Sequence, residues 1–171
     1  QKIKGEIFDV RLGVNYVGTF EDERNKSKIG RRPLQNNLLS TDYAVELFGR
    51  LKVSGEFAGA IHEPNLYSDS ATQYDKAVKI NGDLKLTGWE LCKTRVQSGY
   101  EMAGQNFSSP NGILKTDREE YYGRFFIDVG DIFSGRTGHS VLRNNLKHLS
   151  DYTTKIWRQD VAAELRPLPF R

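Results

Sequence analysis

The chain has 171 residues, of which 37% are hydrophobic and 27% charged, a composition typical of one folded domain and not of a disordered, collagenous or coiled-coil chain. Its 25 basic and 22 acidic residues give a formal net charge of +3, too small to indicate a nucleic-acid binder by itself. No apolar run is long enough for a membrane helix, and the single cysteine, Cys92, excludes an internal disulfide.

The first two patterned segments alternate apolar and polar side chains, which indicates β-strands. In residues 8–16 the even positions are apolar, and from Tyr43 to Ile61 every odd position is apolar or glycine. A helix that begins near Ser40 is the alternative for the first half of the second segment. The continued alternation and the glycines favour a strand that runs through 43–61.

Residues 78–86 contain Asn81-Gly82, which is usually a strong signal for a hairpin turn. A two-residue turn at this point would pair Ile80 with Asp83 and so mix apolar with charged side chains on one face. A strand that continues through the pair keeps both faces uniform, and the same argument applies to Ser54-Gly55. We therefore predict long strands, with bulges or odd-length turns as the alternative.

The second half of the chain continues the alternation less regularly. It runs through 89–102, with a break at Glu90 that indicates a bulge or bend, and returns in 119–133 and 157–166. A helix from about Ser140 is the alternative for residues 140–166. The polar stretches 21–40, 64–75 and 105–118 are predicted to be long loops.

Residues that could carry catalysis do not form a recognisable arrangement. His139, Ser140, His148 and Asp151 have the residue types of a hydrolase triad but lack a nucleophile elbow. Neighbouring acids such as Glu119 and Glu120 point to opposite faces of a strand and cannot converge on a metal ion. We expect no catalysis, no metal site and no cofactor.

Alternating strands with charged polar faces, aromatic residues near strand ends and long loops rich in Asn, Ser and Asp resemble a bacterial outer-membrane β-barrel of the porin type. The resemblance implies that the apolar positions face lipid and that the charged positions line a lumen, with at most a mild preference for anions. The lumen-facing or binding candidates are then Arg11, Glu46, Arg50, Lys52, Lys85, Lys93, Arg95, Arg124, Asp128, Arg158, Asp160 and Glu164.

The sequence thus predicts a single all-β domain, an antiparallel β-barrel or part of a larger one, with long strands and long polar loops. The expected function is a non-catalytic pore or surface scaffold in the bacterial outer membrane. A start at Gln1 suits a processed, exported protein but also a shortened chain. Expected partners are a lipid bilayer, a homo-oligomer or larger barrel, and small solutes or glycans; nucleic acid is not expected. The alternatives are a secreted, soluble β-sandwich or barrel that binds a ligand or carbohydrate, and an α+β nucleic-acid enzyme with a C-terminal helix.

Overall fold

The computed structural model describes residues 2–4, 7–20, 35–63, 72–89, 91–107, 116–147 and 151–166. These residues form nine antiparallel strands that are paired in chain order within one sheet. After the short first strand, the strands have 11 to 17 residues, about twice the length usual in globular sheets. The strands are β1 (Lys2–Lys4), β2 (Phe8–Phe20), β3 (Gln35–Leu47), β4 (Leu51–Glu63), β5 (Gln73–Trp89), β6 (Cys92–Ala103), β7 (Arg118–Val129), β8 (Phe133–Asn144) and β9 (Lys155–Leu165).

The all-β antiparallel fold predicted from the sequence is confirmed. The helix considered for residues 140–166 is wrong, because this region holds the end of β8 and the whole of β9. None of the described residues belongs to a helix long and apolar enough to cross a membrane.

The connections between strands differ in length at the two ends of the sheet. Short connections at 48–50, 90–91 and 130–132 define the turn end, and the longer stretches 21–34, 64–72, 104–117 and 145–154 define the loop end. Adjacent turns are joined by backbone hydrogen bonds, for example from Phe48 N to Ile7 O and from Gly130 N to Leu91 O, both 2.8 Å.

The segment 43–61 is not one strand, as predicted, but a hairpin. The chain reverses at Phe48–Arg50, where Phe48 and Gly49 adopt left-handed backbone angles, with φ of 53° and 62°. Leu47 then faces Leu51, so the odd positions of β3 and β4 lie on the same face. A three-residue turn preserves the alternation across the reversal, and the sequence pattern therefore continues without a break.

Three other segments also differ from the prediction. Residues 119–133 contain a second three-residue turn, at 130–132, and the polar residues that follow it form β8. The break near Glu90 is a chain reversal, preceded by a bulge between Lys85 and Thr87. Residues 35–40, assigned to a loop, begin β3. The strands do continue through Ser54-Gly55 and Asn81-Gly82, as predicted.

The described sheet has free edges and is not closed. On one side β9 pairs only with β8, and on the other β1 covers only Asp9–Arg11 of β2. All 11 residues of β9 are exposed. The backbone groups that β9 directs away from β8 therefore have no strand partner among the described residues.

Candidate functional site: two faces of one sheet

One face of the sheet is built almost entirely from apolar side chains. The pairing register places on this side the even positions of β2, of β6 and of β5 before its bulge, and the odd positions of β3, β4, β7, β8 and β9. We call this side the apolar face and the opposite side the polar face. Valine, isoleucine and aromatic residues are frequent on the apolar face, as expected for residues that favour strands.

Many large side chains of the apolar face are exposed, and others are half-buried. Val14 retains 71% of its accessible surface, Trp157 65% and Val161 80%. Large hydrophobic side chains of every strand from β2 to β9 except β6 and β8 are exposed in the same way, with Leu39, Phe57, Tyr74, Phe125 and Val129 among them. The exposed patch extends across several strands, far beyond the few hundred Å² that a soluble monomer usually leaves open.

The apolar face carries a continuous band without Asp, Glu, Lys or Arg. In each of the eight long strands the uncharged segment spans at least nine residues, as in Trp157–Leu165, Tyr121–Val129 and Leu51–Ile61. Eight steps of about 3.4 Å, tilted by about 40°, cover roughly 21 Å, and transmembrane β-strands have about 9–11 residues.

The charged side chains of the apolar face all lie at the loop end. They are Glu63, Lys76, Glu119, Arg143 and Lys155. The Glu119 carboxylate is almost buried and accepts hydrogen bonds from the hydroxyls of Tyr100 and Tyr121, and its Oε2 lies 2.6 Å from Arg143 Nη2. Charges and aromatic rings thus border the band on this side.

The polar face contains a continuous row of side chains that crosses every long strand. Direct cross-strand partners connect each member with the next, from the turn end of β2 to the middle of β9. The row consists of Asp9, Glu46, Lys52, Asp83, Gln97, Arg124, Gly138 and Asp160.

Neighbouring side chains hold the central part of this row in place. Asp83 receives a bidentate hydrogen bond from Arg95, with Nε 2.7 Å from Oδ1, and a further bond of 3.0 Å from Gln97. The guanidinium of Arg124 lies over the ring of Tyr122, 5.2 Å from its centroid. Tyr122 donates its hydroxyl to Asn81 Oδ1 at 2.8 Å, which fixes the ring on the polar face.

Acidic and basic groups are nearly equal in number on the polar face. This balance gives no basis for the anion preference expected from the sequence, because the polar face also carries carboxylates, such as Asp83, that are not among the lumen candidates. The strands place there the carboxylates Asp9, Asp42, Glu46, Glu56, Asp75, Asp83, Glu101, Glu120, Asp128, Asp160 and Glu164, and the cations Arg11, Lys52, Lys79, Lys85, Lys93, Arg95, Arg118, Arg124, Arg136 and Arg158.

A small apolar cluster covers the loop end of the polar face. Phe107, which follows β6, is 2% exposed and packs with Ala60 and Ala103. Leu38, Ala58 and Ala77 pack around them, and a cavity of about 70 Å³ lies beside the phenyl ring. Small side chains in β4, β5 and β6 leave the space that this ring occupies.

Asp75 anchors the turn that carries Phe107. Its carboxylate accepts hydrogen bonds from the backbone N–H groups of Lys76 (2.9 Å) and Asn106 (2.7 Å), and Lys147 Nζ lies 3.4 Å away. Gly104 passes so close to this carboxylate that a Cβ atom would collide with it. The chain after β6 is therefore held on the polar face by β5 and by the β8–β9 connection.

The structure places eleven of the twelve lumen candidates on the polar face of the strands. Glu46, Lys52, Arg124 and Asp160 belong to the central row. Arg50 is the exception and a correction, because it lies in the turn between β3 and β4 and not in a strand. The others occupy flanking rows: Arg11 and Arg158 at opposite ends of one, Lys85 and Arg95 in another, and Lys93, Asp128 and Glu164 near the turn end.

The residues considered for catalysis do not assemble. His139 lies on the apolar face against Trp157, whereas Ser140 next to it lies on the polar face, and His148 is outside the described residues. Among the residues that the structure describes, no group of three or more His, Cys, Asp or Glu side chains could share a metal ion.

Sequence reasoning missed three residues that organise these surfaces. Asp83 has a sequence signal, because it alternates with Ile80 and Leu84. Glu119 and Phe107 have none, since the burial of each depends on partners from other strands.

Comparisons of the chain with protein-family models, curated proteins and solved structures gave no match.

Proposed function

We propose that the protein is an outer-membrane β-barrel, or part of a larger one, that acts as a pore or surface scaffold without catalysis. The proposed location is the bacterial outer membrane. The apolar face contacts lipid hydrocarbon, and the polar face lines an aqueous interior through which small solutes or glycans pass or in which they bind.

The exposed uncharged band is the observation that carries this proposal. A strand of about 9–11 residues crosses a bilayer, and all eight long strands have uncharged segments of at least nine residues. Transfer of exposed apolar area from water is worth about 25 cal/mol per Å², so lipid stabilises residues such as Val14 and Val161 that the folded chain leaves exposed.

The distribution of connections supports the same function. Membrane barrels have short turns on the periplasmic side and longer loops outside, and this meander separates its short and long connections in that way. The secreted β-sandwich alternative needs a second sheet to cover the apolar face. The described residues supply one sheet.

The free edges of the sheet must be paired if the protein lies in a bilayer. Hydrocarbon cannot satisfy backbone N–H and C=O groups, and each unpaired group costs several kcal/mol there. The outer edge of β9 must therefore be paired in lipid, and the proposal includes closure within a larger barrel or with further copies of the chain.

Refolding into vesicles tests the proposal. We expect the protein to insert into lipid and to give a strand-rich circular dichroism spectrum. We also expect the unboiled sample to migrate faster on a gel than the boiled one, because a folded barrel resists the detergent of the gel. A fully soluble monomer in the absence of detergent would contradict it. A helix-rich spectrum would contradict the fold itself.

A further inference from the structure

We propose that the loop end of the apolar face binds the phosphate of a lipid headgroup through Arg143 and Lys155. This inference rests on the proposed function and deepens it, because it names a lipid class that the outer surface recognises. It commits to phosphate carried by a lipid, in the leaflet that faces the long loops.

The first argument is an unusual pairing of like charges. Arg143 at the end of β8 lies directly opposite Lys155 at the start of β9, on the same face of the sheet. Like charges at directly opposed positions destabilise an antiparallel pair. An anion that contacts both side chains would convert this repulsion into attraction.

The second argument is that the nearby acid does not neutralise both cations. Glu119, opposite Arg143 on β7, contacts the Arg143 guanidinium and is only slightly exposed. Two tyrosine hydroxyls, from Tyr100 and Tyr121, also donate to the Glu119 side chain. The Glu119–Arg143 pair is therefore held in place, while the positive charge of Lys155 remains on the surface.

The third argument is the position of the cations relative to the uncharged band. The ammonium group of Lys155 lies over the ring of Trp157, 4.9 Å from its centroid, and Trp157 is the first residue of the uncharged segment on β9. Tryptophan and tyrosine favour the depth at which headgroups meet hydrocarbon. A phosphate at that depth can contact both cations while its acyl chains cover the apolar face.

The chemistry of the two side chains suits a phosphate. The Arg143 side chain is 46% exposed despite its contact with Glu119, and the guanidinium has further N–H groups that can donate to phosphate oxygens. Lys155 adds a point charge beside it. Long connections lie outside in membrane barrels, so these cations face the outer leaflet.

The experiment measures retention of lipid A, a lipid whose headgroup carries phosphate, by the refolded protein in detergent with native mass spectrometry. The test variants are Arg143→Gln, in which the amide still donates to Glu119, and Lys155→Gln. The matched control is Lys79→Gln, which removes a cation from the polar face. Heat-modifiable migration shows whether each variant folds.

We expect each test variant to lower lipid affinity about fivefold, from about 1 kcal/mol for each basic residue, and Lys79→Gln to leave it unchanged. Equal retention by all variants would overturn the proposal. Displacement of the lipid by equimolar inorganic phosphate would also overturn it, because the site would then recognise free phosphate. Failure of the wild-type chain to insert would instead count against the proposed function.

Discussion

Burial is rare among the side chains that the structure describes, and Phe107 is the largest of the fully buried ones. Its position depends on the Asp75 carboxylate of β5 and on alanines from β4, β5 and β6. At the residue scale, the alternation predicted which face most charged residues occupy, including Arg124 and Asp160. It could not predict Phe107, because contacts between loops and strands leave no periodic signal.

Replacement of Phe107 by alanine should lower the free energy of unfolding by about 3–5 kcal/mol, because it removes a fully buried ring and leaves a cavity. Chemical denaturation of the refolded protein measures the change. Leu91→Ala is the control, since Leu91 is 76% exposed in a turn, and it should change the free energy by about 0.5 kcal/mol or less. Equal losses in the two variants would show that the ring packs elsewhere.

At the scale of strands, the sequence predicted long strands correctly but not where they reverse. The turns at 48–50 and 130–132 have three residues, so Leu47 faces Leu51 and Val129 faces Phe133 with the alternation unchanged. β8 was missed for a different reason. Its glycines, serines and threonine resemble a loop, although Gly138 provides the space in which the Asp160 side chain of β9 lies.

The edge strand β9 gives a prediction at the same scale. If the sheet lies in lipid, its outward amides must find partners, and all amides from Ile156 to Leu165 should exchange slowly with solvent deuterium in vesicles. An unpaired edge would instead show alternating fast and slow amides along β9. β6, which has a strand on both sides, provides the internal reference for full protection.

At the scale of the whole molecule, the sheet separates its chemistry into one apolar face, charged only at the loop end, and one mixed-charge face. The segregation extends over eight strands and survives both the three-residue turns and the bulge between Lys85 and Thr87. Alternation alone predicted this separation. The sequence could not predict how far the apolar face is exposed, because a sequence cannot show whether a second sheet covers that face. The exposure became visible only once the strands were paired in register.

The most direct test of lipid contact compares Val161→Arg on the apolar face with Ala162→Arg, its neighbour on the polar face. Val161 is 80% exposed and lies in the middle of an uncharged segment, so arginine there clashes with nothing in the folded chain. In vesicles we predict that Val161→Arg lowers the free energy of unfolding by about 2–4 kcal/mol, the cost of arginine at the bilayer midplane. Ala162→Arg would lie between Asp160 and Glu164 and directly opposite Arg136, so it should change the free energy of unfolding by about 1 kcal/mol or less. A Val161→Arg variant as stable as wild type would contradict the membrane account.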